Sequence, residues 1–454
     1  MEKFAYGQPN RYEGDRDMRI SAIYGVILLM PAAALIAGCG RENAAANAEE
    51  VSGYQNESLT LTIYNYSAGI NENQMLQYIT KPVQAKYPNL SFELLAAKSP
   101  EELAASGIVP DLVATSNVYV NYLLDLGYGE DLQSKVKTSG LDLNRLEPSV
   151  LEELKKFGPN GELYGLPLST NYGVMLFNKE IFDKFGVAYP KDEMTWSQTL
   201  DLAKKVTRTE GGIRYIGVSL GAPQALLRQY SLPVVDESLQ HSTVATEPFK
   251  KVFMLLRQQY DIPGFLGPNQ EFSYGLNEFA KEQILAMNPN WITGVTDPLA
   301  QLEKNGKSFD WDMVSYPAYD DRPKLGRQVD FHLFMIPPAS KNKEAAFEVM
   351  RTLLSEEAQR SMNQEGRLTV LNIPDLRGQF ASNTNVYKGK NLKGIFKVSP
   401  SPAPMSTIYD TQIYAFLQES NKEMAQNDMD VNTALRIAEE KGNRYIQEMK
   451  QQGK

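Results

Sequence analysis

Leu59, Leu61 and Ile63 alternate with Thr60 and Thr62, a period of two that predicts a β-strand with one buried face. The strand runs into Tyr64-Asn65-Tyr66-Ser67-Ala68-Gly69. Met75, Leu76, Ile79 and Val83 then recur at helical spacing, with Pro82 expected to kink or shorten the helix because it has no N–H to donate. Leu90, Phe92 and Leu94 give a second strand, and Pro110-Asp111-Leu112-Val113-Ala114 a third that ends in Thr115-Ser116-Asn117. Strands alternating with helices imply βαβ units and a mainly parallel sheet. Ligands in such sheets gather outside the carboxyl ends of the strands, which here are Tyr64–Ser67 and Thr115–Asn117.

The same reading continues downstream. Gly161–Leu168 is a turn leading into apolar strand, and Asn171–Glu180 a strand passing into a helix. Thr195 can cap the next helix, with Gln198 three residues on reaching back; Leu200, Ala203 and Val206 supply its packing face. Gly211–Leu220 reads as turn and strand, and Pro248–Arg257 as helix. Phe279–Met287 is expected to be an amphipathic helix broken by the turn Asn288-Pro289-Asn290, which presents Trp291. Gln328–Ile336 is an apolar run holding Asp330 and His332, and helices are expected at Lys343–Leu354, Thr407–Met424 and Val431–Met449.

Ahead of these elements, Ile20–Ala37 is a short apolar run ending in small residues, as a signal segment requires. Ile36-Ala37-Gly38-Cys39 closes it, and Cys39 is the only cysteine in the 454 residues. The arrangement resembles the lipobox of bacterial lipoproteins, which implies cleavage before Cys39 and a diacylglyceryl group on its thiol, whose acyl chains anchor the protein stably. Residues 1–38 are then a signal peptide, with Met18 an alternative start because Glu2, Glu13, Asp15 and Asp17 dilute the basic residues before it. Residues 39–57 are small, polar and acidic, a flexible linker composition.

Composition narrows the function. A net charge of −9 argues against nucleic acid, whose phosphates require a basic stripe. One cysteine excludes a disulfide framework and a cysteine-based zinc site, and only His241 and His332 offer imidazole chemistry. No cofactor motif is present.

Taken in order, the lipobox, the first strand, Pro110–Val113, Tyr164-Gly165-Leu166-Pro167, the strand–Asn178-Lys179–helix unit, Thr195-Trp196, Met287…Trp291 and Ser340–Ala346 resemble a maltose-binding-type solute-binding lipoprotein of an ABC importer. The resemblance implies an α/β, two-lobed periplasmic-binding-protein-like fold with crossing hinge strands and C-terminal helices. It would place the crossings near Thr170–Phe177, Asp330–Phe334 and Tyr387–Val398. One lobe would span 58–169 plus 333–386, and the other 172–329 plus 400–454. Ligand would bind in the cleft and favour lobe closure by touching both lobes. The implied partners are a carbohydrate, the permease subunits of an ABC transporter and, through the lipid on Cys39, the extracytoplasmic face of the cell membrane; the protein would act as a monomer.

A sugar needs aromatic faces for its C–H surfaces and amides, carboxylates or arginines for its hydroxyls. Trp291 matches the family's cleft tryptophan and Tyr409 its aromatic in the second lobe. Tyr64 and Tyr66 flank the first strand end. Ser116 and Asn117 end the third strand, and Asn171, with Tyr172 beside it, matches a polar cleft position. An asparagine amide both donates and accepts, which suits a hydroxyl. Trp196, at the start of a packed helix, reads as structural, as does Asp111. An exported glycoside hydrolase would need two facing carboxylates about 5–10 Å apart, and adjacent pairs such as Glu152/Glu153 or Asp320/Asp321 point different ways. No Gly-x-Ser-x-Gly elbow is present. The remaining alternative keeps the fold and changes the ligand to a peptide or amine, for which Asp410 and Glu72 would supply charge.

Overall fold

The computed structural model describes residues 57–96 and 99–452. The signal stretch, Cys39 and the linker up to residue 56 lie outside the described residues. No helix among the described residues is long and apolar enough to cross a membrane.

Two five-stranded sheets carry two cores. The first sheet contains β1 (Leu59–Tyr66), β2 (Leu90–Leu94), β3 (Leu112–Ser116), β4 (Leu166–Asn171) and, from far along the chain, β11 (Asp330–Met335). The second contains β5 (Gly173–Asn178), β6 (Arg208–Glu210), β7 (Ile213–Val218), β8 (Leu285–Trp291) and β9 (Trp311–Ser315). A separate pair joins β10 (Leu325–Gln328) to β12 (Ser399–Ser401). Strand order is β2-β1-β3-β11-β4 in one sheet and β6-β7-β8-β5-β9 in the other. The chain thus leaves the first sheet through β4, enters the second through β5 one residue later, and comes back through β11.

The expected parallel arrangement holds for β1, β2 and β3. It does not hold where the chain crosses between lobes: β11 runs antiparallel to both β3 and β4, and β5 antiparallel to both β8 and β9. A strand arriving from the other lobe enters its sheet from the opposite end, which reverses its direction.

Leu61, Ile63, Leu112, Val113, Phe331 and Leu333 fill the first core. Val174, Leu176, Ile216, Leu285 and Met287 fill the second, and Phe380, Val386 and Tyr387 pack there too. Thr195 and Gln198 form the expected reciprocal capping box. Trp196 behind it is fully buried, its indole N–H donating to Gln229 Oε1 at 2.9 Å. Pro82 does not end its helix. The preceding turn, Leu76–Thr80, widens to π geometry, with Lys81 N–H bonding to Leu76 O. That extra residue makes room where a proline ring would otherwise meet the carbonyl of the previous turn.

The helix expected over Phe279–Met287 is overturned as well. Leu276–Ala280 is a short helix, but Leu285–Met287 belong to a strand, and Asn288-Pro289-Asn290 continue it instead of turning. A run buried on both faces carries no strand period, so it reads equally as helix. Pairing of β8 with β7 ends at Val218↔Met287, so Pro289 sits where that edge is already unpaired and its missing N–H is tolerated. Trp291 therefore closes a strand, opposite Gly173.

Candidate functional site

The carboxyl ends of β1, β3, β4 and β8 and the start of β11 converge on a cleft of about 560 Å³. Ser67, Ala68 and Gly69 follow β1 into it, and Ser116, Asn171, Trp291, Asp330 and His332 line it.

Its floor is a hydrogen-bonded set across three strands. Asp330 pairs with Asn171, and His332 with Ser116, in the sheet register. The Asp330 carboxylate accepts from Ser116 Oγ at 2.9 Å and from Asn171 Nδ2 at 2.9 Å. Asn171 Oδ1 accepts in turn from Thr293 N–H at 3.3 Å, tying the first sheet to the helix Ile292–Lys304 after Trp291.

Arg367 forms the next part. It is only 4% exposed, and follows Gly366, whose φ of +94° is open to glycine. Its Nε donates to Ser169 Oγ at 2.9 Å, and its Nη2 donates to Ala68 O at 2.8 Å and to His332 Nδ1 at 2.9 Å. Arginine only donates, so His332 Nδ1 must accept and the imidazole proton lies on Nε2. Burial, with the Arg367 charge beside it, pushes the His332 pKa down to about 4, so the ring is neutral at pH 7. Burial also lowers Arg367 to about 10, still cationic.

Trp291 is partly exposed and faces the cleft; its backbone N–H donates to Asn290 Oδ1 at 2.8 Å. The Arg327 guanidinium lies over the indole, 4.0 Å from the ring centroid. Across the opening, Gln74 Nε2 donates to Asp297 Oδ2 at 3.0 Å. Gln74 belongs to the helical stretch after β1, packed on the first core, and Asp297 to the helix Ile292–Lys304, packed on the second.

Of the residues singled out from the sequence, Ser116, Asn171 and Trp291 come together on the cleft wall. Asn117 is buried beside it with its amide committed to backbone: Oδ1 accepts from Phe331 N–H at 3.1 Å and Nδ2 donates to Val329 O at 3.4 Å. Tyr172 follows Asn171 by one residue and points to the opposite side, edge-on to Phe396 at 5.4 Å. Tyr64 is buried, and Tyr66 stacks on it at 6.1 Å and meets Tyr119 edge-on at 5.2 Å; it is Tyr119 that lines the cleft. Tyr409 is buried against Tyr445, 6.3 Å away, and Asp410 ion-pairs with Arg228 at 3.8 Å. Asp111 is structural, taking Thr62 N–H at 2.9 Å and Ser340 Oγ at 2.9 Å.

Sequence reasoning missed Arg327, Arg367, Gln74 and Asp297. Asp330 and His332 had a signal: polar residues set in a strand that is otherwise apolar and buried. Among the described residues no group of three or more histidines, cysteines or carboxylates is arranged to hold a metal ion.

The profile of one family, bacterial extracellular solute-binding protein, matches residues 95–372, more than half of the chain. The arabinooligosaccharide-binding protein of Bacillus subtilis (strain 168) is 26% identical over 202 residues; the match spans 43% of this chain and 43% of that protein, less than half of either. Among solved structures, an ABC substrate-binding protein of Listeria monocytogenes in complex with cycloalternan aligns with a TM-score of 0.69 at 18% identity, over 85% of this chain and 98% of that one. A sugar transporter protein of Rhizobium etli in an open conformation aligns with a TM-score of 0.67 at 20% identity, over 85% of this chain and 99% of that one. At these identities the structural likeness speaks for the two-lobed fold.

Proposed function

The chain belongs to the bacterial extracellular solute-binding proteins, and from that premise we propose that its cleft captures a sugar or oligosaccharide and delivers it to the permease of an ABC transporter. The observation that carries this reading is the pairing of a partly exposed indole, Trp291, with a dense polar wall of Ser116, Asn171, Asp330, His332 and Arg367 in one cleft. A pyranose has both chemistries, a C–H face for the ring and a rim of hydroxyls for donors and acceptors. A relative named for arabinooligosaccharide and a structural neighbour in complex with cycloalternan support the same ligand class.

The protein acts as a binder and performs no catalysis in this reading. In this reading the lobes span 58–169 plus 333–386 and 172–329 plus 400–454, with Phe380 and Val386 reaching across to pack on the second core, and they close over ligand as a population shift. A diacylglyceryl group in thioether linkage to Cys39 holds the mature monomer at the outer face of the cell membrane.

The test is a tryptophan-fluorescence titration of the detergent-solubilised protein with oligosaccharides of varied linkage, free amino acids, polyamines and short peptides. A saturable response to a glycan supports the reading. A response confined to peptides or amines refutes the carbohydrate assignment.

A further inference from the structure

We infer that the cleft selects an acidic glycan, an oligosaccharide carrying a uronate carboxylate, and that Arg327 and Arg367 are the residues that read the charge. This rests on the carbohydrate reading above and narrows its substrate class.

Three guanidiniums line the cleft, on Arg228, Arg327 and Arg367, against two carboxylates, on Asp297 and Asp330. The carboxylates keep their charge but are held by neutral donors, with no ion pair to a cleft arginine among the described residues. Both Asp330 oxygens accept hydrogen bonds, from Ser116 and Asn171, and Asp297 accepts from Gln74. Of the three arginines, Arg228 has an ion-pair partner, Asp410. Among the described residues Arg327 and Arg367 pair with no carboxylate. Arg367 is nearly inaccessible yet bonded only to a hydroxyl, a carbonyl and a neutral imidazole. Arg327 Nε is buried with no hydrogen-bond partner.

A buried guanidinium with no carboxylate at ion-pair distance keeps a desolvation penalty that neutral acceptors and the more distant Asp330 charge offset only in part. In both arginines burial depresses the pKa, the signature of that penalty. A neutral sugar brings only hydroxyl and ring oxygens to such a site. A uronate brings a planar pair of charged oxygens that matches the guanidinium fork, and the resulting hydrogen bonds are charge-assisted. Placement agrees with this: Arg327 lies against Trp291, so its charge borders the surface on which a pyranose ring would rest.

The experiment uses the detergent-solubilised protein and calorimetric titration with di- and trisaccharides of galacturonate, glucuronate and mannuronate. Each is compared with its own methyl ester and with the matching neutral oligosaccharide. One acid is expected to bind about tenfold or more tightly than its ester, with affinity falling as salt rises. Arg327→Gln is expected to collapse that ratio to about twofold or less. Arg367→Gln, checked for folding by circular dichroism, gives a second reading should the first variant misfold. A neutral or esterified glycan that binds as tightly as every acid overturns the inference and leaves the carbohydrate reading standing. Preference for an acid that survives both substitutions overturns the residue assignment. If no glycan of any kind binds, the inference and the carbohydrate reading fall together.

Discussion

Arg327 stacks on Trp291 with its guanidinium carbon 4.0 Å from the ring centroid, and the space it occupies is left by Gly173, the residue paired with Trp291 across β5 and β8. A Cβ at position 173 would come within 2.7 Å of Arg327 Cβ and 2.8 Å of the Tyr316 ring. One absent side chain thus sets the height of the aromatic platform in the cleft.

Gly173→Ala should therefore displace Arg327 and Tyr316 together. The expected outcome is a loss of about 1–3 kcal/mol in stability, the usual range for overpacking, and ligand binding weakened by about tenfold. Urea denaturation and calorimetric titration check the two effects. Unchanged affinity with lowered stability would show that the stack is structural only.

The contact between Gln74 and Asp297 joins elements packed on different cores at the mouth of the cleft. A net contribution of about 0.5–1.5 kcal/mol for one such hydrogen bond corresponds to about a two- to tenfold change in the ratio of closed to open lobes. Asp297→Ala is expected to shift the unliganded protein toward the open form by that factor. Distance distributions between labels on the two lobes measure it; no change would mean that this bond does not bias closure.

His332 predicts a pH dependence. Its folded pKa, about 4, lies below the value of about 6.5 expected in the unfolded chain. Above pH 6.5 both states are neutral and stability is fully present. As pH falls from 6.5 toward 4 the unfolded state takes up a proton that the folded state refuses, so stability is lost across that window. The physical cause is burial of the ring first, and then the Arg367 charge facing Nδ1. The stability advantage of the wild-type protein over His332→Gln should shrink steadily from pH 6.5 to 4.5. A constant difference over that range would contradict the assignment.

The sequence carried the frame of this site and only part of its wall. Ser116 was legible because a strand ends there, and Asn171 and Trp291 because each matches a family position. Arg367 was not. It follows a helix and a glycine in a stretch without period, and its partners Ser169, Ala68 and His332 come from three other segments. Arg327 was hidden for the same reason, since its ring partner comes from another strand of the fold. Tyr172 and Asn117 show the opposite error: each neighbours a cleft residue, but side-chain alternation turns one away and backbone hydrogen bonds claim the other. The segment Leu285–Asn290 was misread because a strand buried on both faces has lost the alternation that would identify it.

The central claim is that Trp291 is the surface on which a sugar rests. Trp196 and Trp311 are buried, and Trp291 is the tryptophan that lines the cleft, so the claim can be isolated at one residue. The direct measurement is calorimetric titration of wild-type protein and Trp291→Ala with the glycan that gives the strongest fluorescence response. Loss of stacking of about 1 kcal/mol or more, together with the loosened Arg327, should weaken binding by about tenfold or more while thermal unfolding changes little. Equal affinity in the two proteins would contradict the account and move the ligand away from this face of the cleft.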